Sequence, residues 1–294
     1  MKEIKKINEH CHVISSFSSI GIILEKDERV IYLIDSGSNE SLAKKSANYL
    51  YENFTDYKFE VLHTHCHVDH IKGNRAFKNI LNSDIYAQPE EIPFGIYPGI
   101  EKLYLYSAVP PTFFNNSFFS AKGVNISDIN ERKPNLNYHK LPGHSQGHTV
   151  FSKYGCVFTG DLVFERRIAE KYGYLYMIDI AQQLDSLQKI RGINGECFIP
   201  SHGPVIDRSS FSELVDFNMD FIKNQIDEFM DYFSMPITLD ELTGKFAVKI
   251  KFNGDLPNYY LLRSYVSAVI KYHLEKKHIN GFLSEKGLMF ESLV

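Results

Sequence analysis

Two runs of aliphatic and β-branched residues open the chain, SIGIILE at 19–25 and RVIYLID at 29–35, separated by the charged turn Lys26 to Glu28. Such runs on either side of a short polar break predict two strands joined as a hairpin. Asp35, Ser36 and Gly37 end the second strand. Asn39 then caps a helix expected to run to about Tyr51, because Leu42, Ala43, Ala47, Leu50 and Tyr51 recur at helical spacing. A short strand returns at 58–62, and His63-Thr-His-Cys-His-Val-Asp-His70 follows it directly. Histidines at the carboxyl end of a strand stand where α/β folds place their sites.

Residues 93–119 break this order. They carry eight aromatics and four prolines without a sustained period, which predicts an irregular, aromatic-rich insertion over about 90–125. Strands are expected again around 138–141 and 150–159, a helix over 179–190, and a last strand at 197–199 just before Ser201-His-Gly203. Ser209 is the expected cap of a long amphipathic helix reaching about Phe233, after which Ser234-Met-Pro236 interrupts the pattern. Helices over 239–248 and 259–275 and a hairpin around Glu285-Lys-Gly287 complete the chain, in an order that resembles a winged helix. The chain therefore divides at 1–233 and 234–294.

His65 and His67 are two residues apart, so on an extended segment both imidazoles face one side and can grip one ion, while Asp69 and His70 continue toward a second. A solvated polar loop would have to reach this spacing by accident, immediately after a buried strand.

The HxHxDH segment resembles the metallo-β-lactamase superfamily, and the match continues in the family's order. Pro142-Gly-His144 comes with Gly147-His-Thr149, then Phe158-Thr-Gly-Asp161, then Pro200-Ser-His-Gly203. The resemblance covers about residues 8–230 and implies an α/β fold, the four-layered αβ/βα sandwich, with a small winged-helix-like module behind it. By that resemblance His65, His67 and His144 hold one metal, Asp69, His70 and His202 hold the other, and Asp161 bridges them. Two divalent ions are implied. Zinc is favoured, and iron or manganese also suits a set of imidazoles and carboxylates.

Two such ions would lower the pKa of a shared water from ~15.7 toward ~7, supplying a hydroxide as nucleophile, with Asp69 orienting the water or carrying a proton to the leaving group. β-Lactamases of the family generally lack a carboxylate matching Asp161, so a β-lactam substrate is disfavoured. The expected activity is glyoxalase-II-like hydrolysis of a small-molecule ester, thioester or lactone. A mononuclear iron persulfide dioxygenase, a phosphodiesterase and a metal-bearing interaction or regulatory protein acting through 234–294 are the alternatives.

Other residues invite weaker readings. Tyr106 in the insertion and Tyr174 and Tyr176 after Asp161 are candidates for the substrate side, with packing as the plainer role. Cys66 reads as a small side chain turned away from the site, His148 as a supporting residue near the ligands, and His63 as a hydrogen-bonded core residue. Four cysteines without a CxxC pair fit free thiols in a reducing compartment, the cytoplasm. Lys plus Arg total 32 against 36 for Asp plus Glu, a net charge of −4 that argues against a nucleic-acid partner. Residues 236–294 carry eight basic and six acidic side chains, too balanced for a DNA-reading stripe. The N-terminal stretch has no apolar run of signal-peptide length and no segment reaches membrane-span length, so no membrane partner is expected. A homodimer contact is one further use for the insertion or the C-terminal segment.

Overall fold

The computed structural model describes residues 4–293; the first three residues of the N-terminal stretch and Val294 lie outside it. A seven-stranded sheet runs in sequence order: β1 (Ile4–Lys6), β2 (Cys11–Ile14), β3 (Ile20–Glu25), β4 (Val30–Ile34), β5 (Lys58–Leu62), β6 (Asp84–Ala87) and β7 (Ser127–Asp128). The first four strands pair antiparallel and the last four parallel. A five-stranded sheet follows, built from β8 (Asn137–Lys140), β9 (Thr149–Lys153), β10 (Cys156–Gly160), β11 (Cys197–Pro200) and β12 (Ile206–Asp207), with β10 and β11 parallel.

Alternation along the strands produces the layers. In β4, Ile31 and Leu33 pack with Ala43, Ala47 and Phe77 of the helices Glu40–Asn53 and Asn74–Leu81. Val30, Tyr32 and Ile34 face the other way and join Phe151, Phe158 and Ile199 of the second sheet. Successive strand side chains point to opposite faces, so one buried strand serves both layers. On its far side the second sheet places Val157 and Phe198 against the helices Ile180–Ile190 and Arg208–Met230. The result is the expected four-layered αβ/βα sandwich.

Residues after 234 add β13 (Ile237–Thr238), helices Leu239–Lys249 and Leu256–Glu275, and the hairpin of β14 (Ile279–Ser284) and β15 (Gly287–Ser292), whose sheet order is β13-β15-β14. Their apolar face does not close on itself alone. Leu242, Phe246, Leu262, Tyr265 and Phe290 share one buried cluster with Phe211, Ile222 and Phe229 of the Arg208–Met230 helix. Each such aromatic or aliphatic side chain contributes roughly 1.5–3 kcal/mol on burial.

Local chemistry shifts several expected boundaries. The stretch read as one strand at 150–159 is a hairpin of β9 and β10, because Tyr154 and Gly155 adopt φ of +51° and +75° and turn the chain back. The long helix is capped by the Asp207 carboxylate, which accepts from Ser210 N at 2.8 Å, and not by Ser209; beyond Met230 it tightens into a 3-10 turn at Asp231–Ser234. The insertion is more regular than its composition suggests, with helices at Ile92–Ile96 and Gly99–Tyr106 and a 3-10 turn at Thr112–Phe114. Pro93 and Pro98 sit at or before the first turns of these helices, where a missing N–H costs nothing. Among the described residues no helix is long and apolar enough to cross a membrane.

Candidate metal centre

All seven ligand candidates leave the ends of strands. His65 and His67 lie in the extended turn after β5, and Asp69 and His70 in the single helical turn Val68–Ile71. His144 lies between β8 and β9, Asp161 directly after β10 and His202 two residues after β11. The structure gathers them into three overlapping groups: His65 with His67 and His144; His65 with His70 and Asp161; and Asp69 with His70 and His202.

The spacings suit metal ligation. His144 Nε2 is 3.2 Å from His65 Nε2 and 3.0 Å from His67 Nδ1, while His202 Nε2 is 3.1 Å from Asp161 Oδ2 and 3.3 Å from Asp69 Oδ2. Ligands held ~2.0–2.1 Å from a tetrahedral ion lie about 3.3–3.4 Å apart. His70 Nε2 and Asp161 Oδ1 are buried without a hydrogen-bond partner, 3.5 Å from each other. A buried polar atom without a partner is costly, and an ion between these two would satisfy both.

Four of the five imidazoles are fixed from behind. His70 Nδ1 donates to Asp35 Oδ2 at 2.9 Å, His144 Nδ1 to the Tyr176 carbonyl at 2.9 Å, and His202 Nδ1 to the Phe17 carbonyl at 2.7 Å. The Thr64 hydroxyl donates to Asp35 Oδ2 at 2.7 Å, which leaves its oxygen to accept from His65 Nδ1 at 3.1 Å. With these ring nitrogens protonated, the opposite nitrogens face inward as lone pairs, the tautomer that metal binding requires. Burial pulls His67 down to about 4 and His144 to about 3, and drives His65 well below the usual range. At His70 and His202 burial is overcome by Asp69 and Asp161, which raise both, His202 to about 10. Those two rings sit in a field that demands positive charge, which a cation can supply in place of a proton.

A family model for the metallo-beta-lactamase superfamily matches residues 17–202, a span that contains every one of these ligands. The chain belongs to that superfamily.

Solved structures agree on the fold. A beta-lactamase domain protein from Burkholderia ambifaria superposes with a TM-score of 0.70 at 12% identity, covering 98% of this chain and 93% of that one. A metallo-beta-lactamase family protein from Thermus thermophilus gives 0.68 at 15% identity, with 99% of each chain covered. The metallo-beta-lactamase from Pontibacter korlensis gives 0.54 at 16% identity, covering 76% of this chain and 99% of its own. The first two similarities run through residues 234–294. A search of curated proteins returned no match.

Several residues of this superfamily member that hold the site were not singled out from sequence. Asp35, at φ +61° and buried, accepts from His63 Nδ1, His70 Nδ1 and both the backbone N and hydroxyl of Thr64. Burial would raise its carboxyl, but His70 and His63 bring it down to about 2. Ser18 donates to Asp69 Oδ2 at 2.8 Å. Glu91, 3% exposed, accepts from Cys66 N at 2.9 Å, Ser145 Oγ at 2.6 Å and Gly147 N at 2.8 Å, so one carboxylate spans two ligand loops. An acid that closes a strand before Ser-Gly was the available signal for Asp35; Ser18 and Glu91 offered none.

His63 and His148 take the supporting places expected of them. His63 Nε2 lies 2.9 Å from Asn74 Oδ1, and His148 Nε2 accepts from Asp161 N at 3.0 Å. Cys66 is buried in the helix-side core near Gly95 and joins none of the ligand groups.

A cavity of about 380 Å³ opens above the ligands, with His67, Asp69, Asp161 and His202 on its floor. Tyr174 and Tyr176 line it. Burial raises both phenols, so they stay neutral. Tyr106 is not among its lining residues and packs instead against Phe114 and Tyr260, with ring centroids 6.0 and 5.1 Å away. Glu101, from the insertion, also borders the cavity; its Oε2 accepts from Val68 N at 3.3 Å, and burial followed by the Asp69 charge raises it to about 8. The far wall comes from the C-terminal segment through Ile250, Phe252 and Leu261.

Proposed function

We propose that this protein is a dinuclear metal-dependent hydrolase acting on a small-molecule ester, thioester or lactone. The observation that carries the reading is that His65, His67 and His144 form one complete ligand group, Asp69, His70 and His202 form a second, and Asp161 stands between them. A mononuclear oxygenase has no need of the second complete group. When bound, two divalent ions lower the pKa of a water at the site toward ~7 and polarise a substrate carbonyl. Zinc suits the all-imidazole and carboxylate set, and iron stands beside it, since a solved structure with a TM-score of 0.50 at 19% identity is described as di-iron-bound.

The chain's own residues do the rest. Asp69, with Oδ2 held by Ser18, keeps a carboxylate on the cavity floor where it can orient the attacking water and pass its proton to the leaving group. Tyr174 and Tyr176 offer neutral hydroxyls on the wall. Tyr106 would act only through the packing of the insertion. No Ser or Cys nucleophile is invoked, so no acyl-enzyme forms.

We place the division of the chain at 233/234 and read 234–294 as a module of winged-helix type whose work is to wall the cavity. Phe252 and Leu261 on that wall support this use over DNA reading. The four free thiols fit a cytoplasmic setting, and a homodimer remains a proposal for size measurement. The test is a metal-replete preparation assayed on thioesters, lactones and phosphodiesters, alongside elemental analysis. Two ions per chain with thioester or lactone turnover is expected. One iron per chain with oxygen consumption on a persulfide would replace this reading by the dioxygenase one.

A further inference from the structure

Above its metal-ligand floor the cavity turns apolar, with Phe17, Phe118, Phe164, Ile168 and Phe252 among its walls, and at its rim stand two exposed cations, Lys171 and Lys251. The two lysines come from segments that touch. Gly173 has φ +74° and packs so closely on Ile250 that a Cβ there would fall 2.6 Å from the Ile250 Cβ. That contact brings the end of the helix Arg166–Tyr172 and its cap Gly173 against the segment that carries Lys251, and both lysines line the one cavity. Lys171 Nζ lies 3.0 Å from the Tyr172 hydroxyl and over its ring, which anchors it without neutralising it. Among the described residues no carboxylate pairs with Lys171 or Lys251, and the nearby Asp255 is spent on capping its helix through Asn258.

We propose that the substrate carries an anionic group, a carboxylate or a phosphate, at the end remote from the scissile bond, held by Lys171 and Lys251 across an apolar body that fills the cavity. This rests on the hydrolase reading above and adds the substrate class. The order of surfaces defines the ligand: a carbonyl at the metal floor, an aliphatic or aryl middle against the phenylalanines, and a solvent-facing anion at the rim. Ammonium groups on flexible stems hold a terminal anion as point charges and accept either anion geometry.

The test uses full-length, metal-replete protein and three thioesters of one acyl length, ending in methyl, carboxylate or phosphate. Each anionic substrate is expected to exceed the methyl one in kcat/KM by about tenfold at low salt, a ratio that shrinks as ionic strength rises. The carboxylate and phosphate arms show which anion is preferred. In the double variant K171A/K251A the ratio is expected to fall toward one, whereas Lys189→Ala, on the outer helix Ile180–Ile190, keeps it. A wild-type ratio near one, or a ratio untouched by the double variant, overturns the proposal. If none of the three is turned over, the thioester form of the hydrolase reading fails by itself. Calorimetric binding of the matching amides then decides the anion site: tighter binding of the anionic amides that is lost in K171A/K251A upholds it, and equal binding overturns it.

Discussion

Replacing Glu91 by glutamine alters no metal ligand, yet it is expected to weaken metal binding. The Glu91 carboxylate accepts from Cys66 N, which lies between His65 and His67, and from Ser145 Oγ and Gly147 N, which flank His144. Glutamine keeps one acceptor oxygen and turns an amide NH2 toward a group that is itself a donor. At least one bond to a charged acceptor is lost and a buried N–H is left unpaired, a cost of about 2–3 kcal/mol. Because both sides of the tie are ligand loops, much of that cost falls on ligand placement, and affinity for the ion held by His65, His67 and His144 should drop about 10–100-fold. Competition against a chromophoric chelator measures it, with circular dichroism confirming the fold. Glu90→Gln, one residue away on an exposed side chain paired with Lys140, serves as the control and should change nothing. If Glu91→Gln melts at a lower temperature but binds both ions with wild-type affinity, the carboxylate supports the fold alone and the argument is refuted.

Asp161→Ala should lower metal content from two ions toward one per chain, since its two oxygens face His70 on one side and His144 and His202 on the other; elemental analysis showing two ions would remove it as a bridge. Glu101, raised from 4.5 to about 8 by burial and Asp69, binds a proton more tightly folded than unfolded, so its contribution to stability is full below pH 4.5 and fades as pH rises through 8. At ~1.4 kcal/mol per unit, chelator-treated wild type should lose several kcal/mol more than Glu101→Gln between those limits in urea titrations, and parallel curves would contradict the assignment. Phe246→Ala should cost about 3–5 kcal/mol and still unfold in one step with the sandwich, because its ring lies in the cluster that contains Phe198 and Phe211; a separate early transition would mean that 234–294 folds by itself.

The residues that gather at the candidate centre were legible in the sequence because a cluster on strand ends is written locally. Alternation after β5 points His65 and His67 the same way, and one-residue precision at Asp161 and His202 follows from strands that end just before them. The layers were legible for a similar reason, since β3 and β4 are buried on both faces and can only be central. Boundaries failed where a backbone conformation, and not composition, decided them. Tyr154 accepts a positive φ that its side chain disfavours because β9 and β10 pair on either side of it, and no hydrophobic period announces that pairing.

What orients the ligands was hidden for a deeper reason. The partners of His144 and His202 are the carbonyls of Tyr176 and Phe17, groups that every residue carries, so no side-chain identity marks them. Glu91 lies 25 residues beyond Cys66 and 56 before Gly147, inside a stretch whose aromatics and prolines read as irregular. The insertion is nonetheless the element that ties the two halves of the site: through Glu91 it fixes the loops carrying His65, His67 and His144, and through Glu101 it reaches the backbone beside Asp69. Substitutions there should therefore register as changes in metal affinity before they register as changes in substrate choice, the reverse of what holds for the C-terminal wall at Lys251 and Phe252.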